Sequence, residues 1–107
     1  MQVKYHEAAE EELLHEIGYL ELRANGLGRR FFTEVRRAED LIAQFPESAA
    51  EIVPGIRTRI LRKFHYSLIY TIESDTLLIL AVAHHSRRPG YWLSRVRPTE
   101  GDRERSV

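Results

Sequence analysis

The sequence predicts an α+β domain of order β-α-α-β-β-β, a helical hairpin packed on a small antiparallel sheet. Three observations carry this. Apolar residues recur at the helical period over two successive stretches, Ala9 to Ala24 and Phe31 to Phe45. After Pro54-Gly55 the period falls to two. The chain has 107 residues, which suits one domain and leaves little room for a second.

Val3 to Tyr5 reads as a short first strand. A helix follows from near Glu7, with Ala9, Leu13, Ile17, Leu20 and Ala24 on one face. Glu7 and Glu10 to Glu12 place acid near its N-terminus, where the dipole favours it. His6 is a weaker N-cap than Ser or Asp, so the start is free to slip by a residue or two. Asn25-Gly26 stops the helix, and Gly18 inside it suggests close packing on the next element. The second helix spans about Leu27 to Phe45. Phe31, Val35, Ala38, Ile42 and Phe45 form its apolar stripe, widened by Phe32 and Leu41; Arg29, Arg30, Glu34, Arg37 and Asp40 lie opposite. Pro46 ends it, and the short interhelical loop requires an antiparallel hairpin.

A polar loop closed by Pro54-Gly55 leads into the strand half. Ile56, Thr58 and Ile60 alternate with Arg57, Arg59 and Leu61, which gives a strand with one charged side. Tyr66, Leu68, Tyr70 and Ile72 alternate with Ser67, Ile69 and Thr71 in the next. A tight turn at Glu73-Ser74-Asp75 precedes Thr76 to Ala83, whose continuous apolar run is that of a strand covered on both faces. The helical stripes have one place to be buried, the face of this three-stranded meander, which the first strand is free to join. The domain is expected to end near residue 97. The polar tail at 98–107 is expected to be disordered.

Charge is zero overall but unevenly spread. Met1 to Glu51 carries six basic and eleven acidic residues; Ile52 to Arg97 carries eight basic and two acidic. Such asymmetry suggests an acidic partner for the strand half, or else a solvated acidic helix face beside arginines that cover a sheet edge. With no cysteine, neither a disulfide framework nor a cysteine ligand set is available. No signal peptide is visible, and the longest apolar run, Leu77 to Ala83, is too short to span a bilayer. A cytoplasmic protein without membrane association is expected.

The candidate functional residues follow the last strand, in His84-His85-Ser86-Arg87-Arg88-Pro89-Gly90-Tyr91-Trp92. Adjacent histidines point to opposite faces on extended chain, so no metal site and no cofactor is expected. Either histidine is a candidate acid or base, or a strand-end residue capping the core. Arg57, Arg59, Arg62, Lys63, Arg87 and Arg88 are candidates to line one face of the sheet and meet phosphates or carboxylates. Tyr91 and Trp92 either stack on a partner or anchor the C-terminal segment on the core. No phosphate loop or nucleophile elbow is present.

The segments "AQFPE", "PGIRTRILRKFHYSLIYTI" and "LLILAVAHHSRRPGYW" resemble the toxin subunits of RelE/ParE toxin–antitoxin modules, over roughly Val3 to Trp92. The resemblance implies this same fold, a growth-inhibiting toxin and a cognate antitoxin whose flexible segment wraps it. RelE-like members cut mRNA on the ribosome. In that reading Tyr91 takes the place of their functional tyrosine, with His85 and Arg87 as the other catalytic candidates. Ser67, however, stands where those nucleases usually carry an arginine. ParE-like members lack the nuclease set and poison DNA gyrase, and the helical hairpin and "RRPGYW" ending look more similar to them. Arg57, Arg59, Arg62, Arg87, Arg88, Tyr91 and Trp92 are then the expected target- and antitoxin-binding residues. A non-toxic interaction domain is the third alternative.

Overall fold

The computed structural model describes residues 1–96; the tail at 98–107 expected to be disordered lies outside the described residues. The elements are β1 (Gln2–Tyr5), α1 (Glu7–Arg23), α2 (Leu27–Gln44), β2 (Ala50–Val53), β3 (Ile56–Ile60), β4 (Tyr66–Glu73) and β5 (Thr76–His84). The fold class is as expected, and the sheet is larger. It has five strands in the order β1-β5-β4-β3-β2, antiparallel except for β1, which runs parallel to β5. Part of the stretch read as a polar loop forms the edge strand β2, paired with β3. Four residues ending at a Pro-Gly turn are too few to display a period.

α1 starts where expected because His6 does cap it, its Nδ1 accepting the Ala8 N–H at 3.0 Å. Ala9 and Leu13 are buried, with Ile17 and Leu20 packed beside them. Phe31, Val35, Ala38 and Ile42 of α2 are buried as the stripe predicts. Phe45 is not. It is 58% exposed because the chain has already left the helix there, at φ −135° and ψ 68°, ahead of Pro46.

The hairpin turns at Gly26, whose φ of 83° suits glycine. Glu21 then closes the start of α2. Its two carboxylate oxygens accept the N–H groups of Gly26 at 2.8 Å and Gly28 at 3.0 Å, two of the orphan donors of a helix N-terminus. The close helix–helix approach expected at Gly18 falls instead at Gly28. A Cβ there would sit 2.4 Å from the Ile17 carbonyl oxygen, whereas one on Gly18 meets nothing within 4 Å.

Helix stripes and sheet meet in the larger core, where Phe31 lies 4.8 Å from the Tyr66 ring and 5.2 Å from that of Phe64. Tyr66, Leu68 and Tyr70 of β4 and Leu77, Ile79 and Val82 of β5 face the helices. The step of three between Ile79 and Val82 reflects a bulge. Ile69 pairs Ala81 and Tyr70 pairs Ile79, which leaves Leu80 without an opposite number. A second core lies on the other face of the sheet, where Ile56, Ile69, Leu80 and Ala81 are covered by Trp92. This is why β5 reads as a strand buried on both sides.

One buried polar group was not foreseen. Glu39 is 5% exposed, accepts the Tyr5 hydroxyl, and receives Arg36 Nη1 on both oxygens at 2.8 and 2.9 Å. Burial, then the bond to Glu39, pushes the Tyr5 phenol far above its ordinary pKa, so it remains a donor. Tyr5→Phe removes one donor from a buried carboxylate and is expected to lower stability by about 1–2 kcal/mol. Urea unfolding with an unchanged m value is the check.

Candidate docking surface

Every functional side chain on β3 is assigned by its pairing. Arg57 lies opposite Tyr70 and Arg59 opposite Leu68, and both of those partners face the helices. Arg57 and Arg59 therefore lie on the helix side of the sheet, at its β3 edge. Arg57 Nη1 donates to the carbonyls of Ala49 at 2.7 Å and Glu47 at 3.2 Å, and Arg59 Nη2 to Ser48 Oγ at 2.7 Å. These guanidinium groups hold the chain that leaves α2. Arg59 Nε is buried without a partner among the described residues.

The opposite face carries Thr58, Ser67, Ile69 and Ala83. With His85, Arg87, Arg88 and Tyr91 they line a shallow groove of about 210 Å³. The expectation that Arg57, Arg59, Arg62, Lys63, Arg87 and Arg88 share one sheet face is thus corrected. Arg57 and Arg59 point to the other side, and Arg62 and Lys63 follow β3 in the connection to β4. Arg62 is exposed there, its backbone N–H donating to Glu34 Oε2 at 3.2 Å. Period two separated the arginines of β3 from its apolar residues. It did not say which side the helices would cover, because both faces of this sheet are apolar.

The three residues named as catalytic candidates come together in the groove, each already engaged. His85 Nε2 lies 2.8 Å from Ser67 Oγ. The Arg87 guanidinium stacks 3.8 Å above the centre of the Tyr91 ring. The Tyr91 hydroxyl donates to Glu12 Oε2 at 2.8 Å. Burial, followed by that hydrogen bond, raises the Tyr91 pKa well beyond the ordinary phenol value, so it stays protonated. Of the two readings open for Trp92, stacking on a partner or anchoring the core, the structure shows the second: it is 6% exposed and anchors the second core. Arg88 is exposed and keeps its side chain at the rim.

Glu12 is the residue the sequence reading missed. β1 stops pairing β5 at Tyr5 and Ile79, so β5 has an open edge beyond that point. Glu12 Oε1 accepts the Val82 N–H at 2.9 Å, and Arg95 Nη1 donates to the Leu80 carbonyl at 2.9 Å. The same Arg95 grips the Glu12 carboxylate through both nitrogens, at 3.0 and 2.9 Å. Burial acts to raise the Glu12 pKa. The hydrogen bonds from Arg95, Val82 and Tyr91 outweigh it and hold the carboxyl below its usual range. One α1 carboxylate therefore plugs a strand edge and fastens the C-terminal segment. The available signal was spacing: Glu12 and Glu16 lie four apart beside the apolar stripe, and each receives a tyrosine hydroxyl, from Tyr91 and Tyr66.

A helical hairpin on one face of a five-stranded sheet, with a basic and aromatic segment fastened to α1 through Glu12 on the other, defines a small α+β protein. A chain of the "Chromosomal ParDE TA system from P. aeruginosa" has the same fold, with a TM-score of 0.65 and 18% identity, over 78% of this chain and 95% of that one. A search of curated proteins finds no match. The family described as "ParE toxin of type II toxin-antitoxin system, parDE" matches residues 3–89. The chain belongs to this ParE toxin family.

Proposed function

We propose that this ParE-family toxin stops growth by binding and poisoning DNA gyrase in the cytoplasm, and that a cognate ParD antitoxin neutralises it. One observation supports a binding mechanism over RNA cleavage. The strand positions facing the groove beside His85 are Thr58, Ser67 and Ile69, while Arg57 and Arg59 are tied down across the sheet. A phosphoryl-transfer site needs fixed cations around the developing charge. Here the arginines that line the groove are Arg87, which is stacked on Tyr91, and Arg88, which is exposed. A surface that presents Arg87, Arg88 and the edge of Tyr91 around a rigid segment suits recognition of a protein partner. No helix among the described residues is long and apolar enough to cross a membrane.

Expression from a tightly repressed promoter with pulse labelling tests the proposal. DNA synthesis should fail first, and purified toxin should block supercoiling by gyrase in vitro. Protein synthesis failing first, with transcript cleavage lost in Tyr91→Phe, would support an mRNA nuclease instead. Binding to antitoxin without any growth inhibition would mark a non-toxic interaction domain. Reversing the rim charge with Arg88→Glu should reduce gyrase inhibition about tenfold or more, with unfolding free energy within about 0.5 kcal/mol of wild type. Full inhibition by that variant would remove the rim from the interface.

A further inference from the structure

The docking face leaves unexplained a cleft of about 590 Å³ on the helix side of the molecule. It lies between the second half of α1 and the β3–β4 connection, closed at one end by the residues that follow β5. Its charged lining is lopsided. Arg23, Lys63 and Arg87 contribute three cations, and His15, His65 and His84 add three imidazoles. Glu16 is the carboxylate among the described lining residues, and its Oε1 accepts the Tyr66 hydroxyl at 2.5 Å.

The cations are only lightly compensated. Arg23 donates to the Tyr19 hydroxyl at 2.7 Å and has no salt bridge among the described residues; nor has Lys63. Arg87 approaches Glu12 at 3.8 Å, but Arg95 already holds that carboxylate at 2.9 Å. Lys63 sits at a φ of 67°, so the loop that carries it adopts a conformation side chains generally avoid. The Ser86 N–H donates to His84 Nδ1 at 3.0 Å, which makes Nδ1 the acceptor and leaves the proton on Nε2 as a further donor. Tyr19 is 45% exposed, with the Arg23 guanidinium 5.6 Å from its ring centre, and Phe64 lines the same cleft.

We propose that this cleft binds a nucleoside phosphate, with the phosphate between Arg23 and Lys63 and the base against Tyr19. Clustered unpaired cations in a concave site select a compact polyanion. An exposed aromatic face takes a base by stacking. The second oxygen of Glu16 is an acceptor for a ribose hydroxyl or an exocyclic amine, which a bare phosphate would not use. The volume lies within the range of small-ligand sites. The ligand is either a free nucleotide or the terminal nucleotide of a single strand.

The test is titration calorimetry on the full chain with ATP, with a 5′-phosphorylated single-stranded oligonucleotide, and with inorganic phosphate, each at two salt concentrations. ATP or the oligonucleotide should bind more tightly than phosphate, and more weakly at higher salt. Tighter binding of ATP identifies a free nucleotide as the ligand, and tighter binding of the oligonucleotide identifies a strand end. Arg23→Glu and Lys63→Glu, both at exposed positions outside the docking face, should each weaken binding about tenfold. Lys4→Glu, exposed on β1 and not among the residues lining the cleft, should change it less than about twofold. No binding of either nucleotide probe, equal binding of phosphate and ATP, or an equal loss in Lys4→Glu would overturn the assignment.

Discussion

Glu12→Ala is expected to lower the unfolding free energy by about 3 kcal/mol and to abolish toxicity. Glu12 and Arg95 each have side chains 14% exposed. Removing the carboxylate leaves a largely buried guanidinium without its counter-charge, and it strips an acceptor from the Tyr91 hydroxyl and from the Val82 N–H. Losing one partner of a buried pair costs far more than the pair contributes net, because the remaining charge stays desolvated. Against a total of roughly 5–15 kcal/mol for a domain, such a loss is large. The segment bearing Tyr91 and Trp92 should detach first, since its bonds to α1 run through this carboxylate. Urea unfolding measures the stability change, and faster tryptic cleavage at Arg95 reports detachment. A variant as stable and as protease-resistant as wild type would show that the second core alone holds the segment.

The same group predicts a pH dependence. The Glu12 pKa is lowered in the folded protein, so its contribution is fully present above the unfolded carboxyl value of about 4.3. It is lost as pH falls through the folded pKa, where the native carboxylate takes up its proton. Stability should therefore decline on acidification below about pH 4–5, and Glu12→Gln should decline less steeply over that window. Parallel curves for the two proteins would contradict this.

Gly28→Ala should destabilise by about 2–3 kcal/mol, while Gly18→Ala should stabilise by up to about 1 kcal/mol. Both glycines lie in the helical hairpin, and helix propensity alone favours alanine at each by roughly 1 kcal/mol. Sterics decide the sign. At Gly28 the new methyl would meet the Ile17 carbonyl oxygen at 2.4 Å and the Glu21 Cβ at 3.1 Å. The first of these is backbone, so no rotamer change relieves it and the helices must separate. Separation would also pull the Gly28 N–H from the Glu21 carboxylate that caps α2. At Gly18 nothing lies within 4 Å, and propensity acts alone. For a domain of this size the Gly28 effect corresponds to a fall in Tm of about 10–20 °C. Differential scanning calorimetry on the two variants decides the matter, and shifts of the same sign would refute the steric account.

How much of this was legible in the chain depends on sequence separation. The stripe Phe31, Val35, Ala38 and Ile42, the helix start at Glu7 and the alternation of β4 are written in neighbouring residues, and all appear as expected. β2 was hidden because four residues show too little alternation, and the Leu80 bulge was hidden because an unbroken apolar run has no period to interrupt. In the candidate site, the gathering of His85, Arg87 and Tyr91 followed from their adjacency. The displacement of Arg57 and Arg59 did not. Their separation from Ile56 and Thr58 is local, but the face each set occupies depends on where the helices dock.

The amino-acid sequence by itself determined the two helices, the strand half and a basic, aromatic C-terminal segment, because periodicity and turn chemistry are properties of residues close along the chain. Only the tertiary structure decided that β1 joins β5 in parallel, that Trp92 is a core residue, and that Glu12 clamps Arg95 and Tyr91. Those contacts join residues 79 and 83 positions apart. Their specificity comes from an open strand edge that exists only once the sheet has formed and that requires one donor and one acceptor to be satisfied.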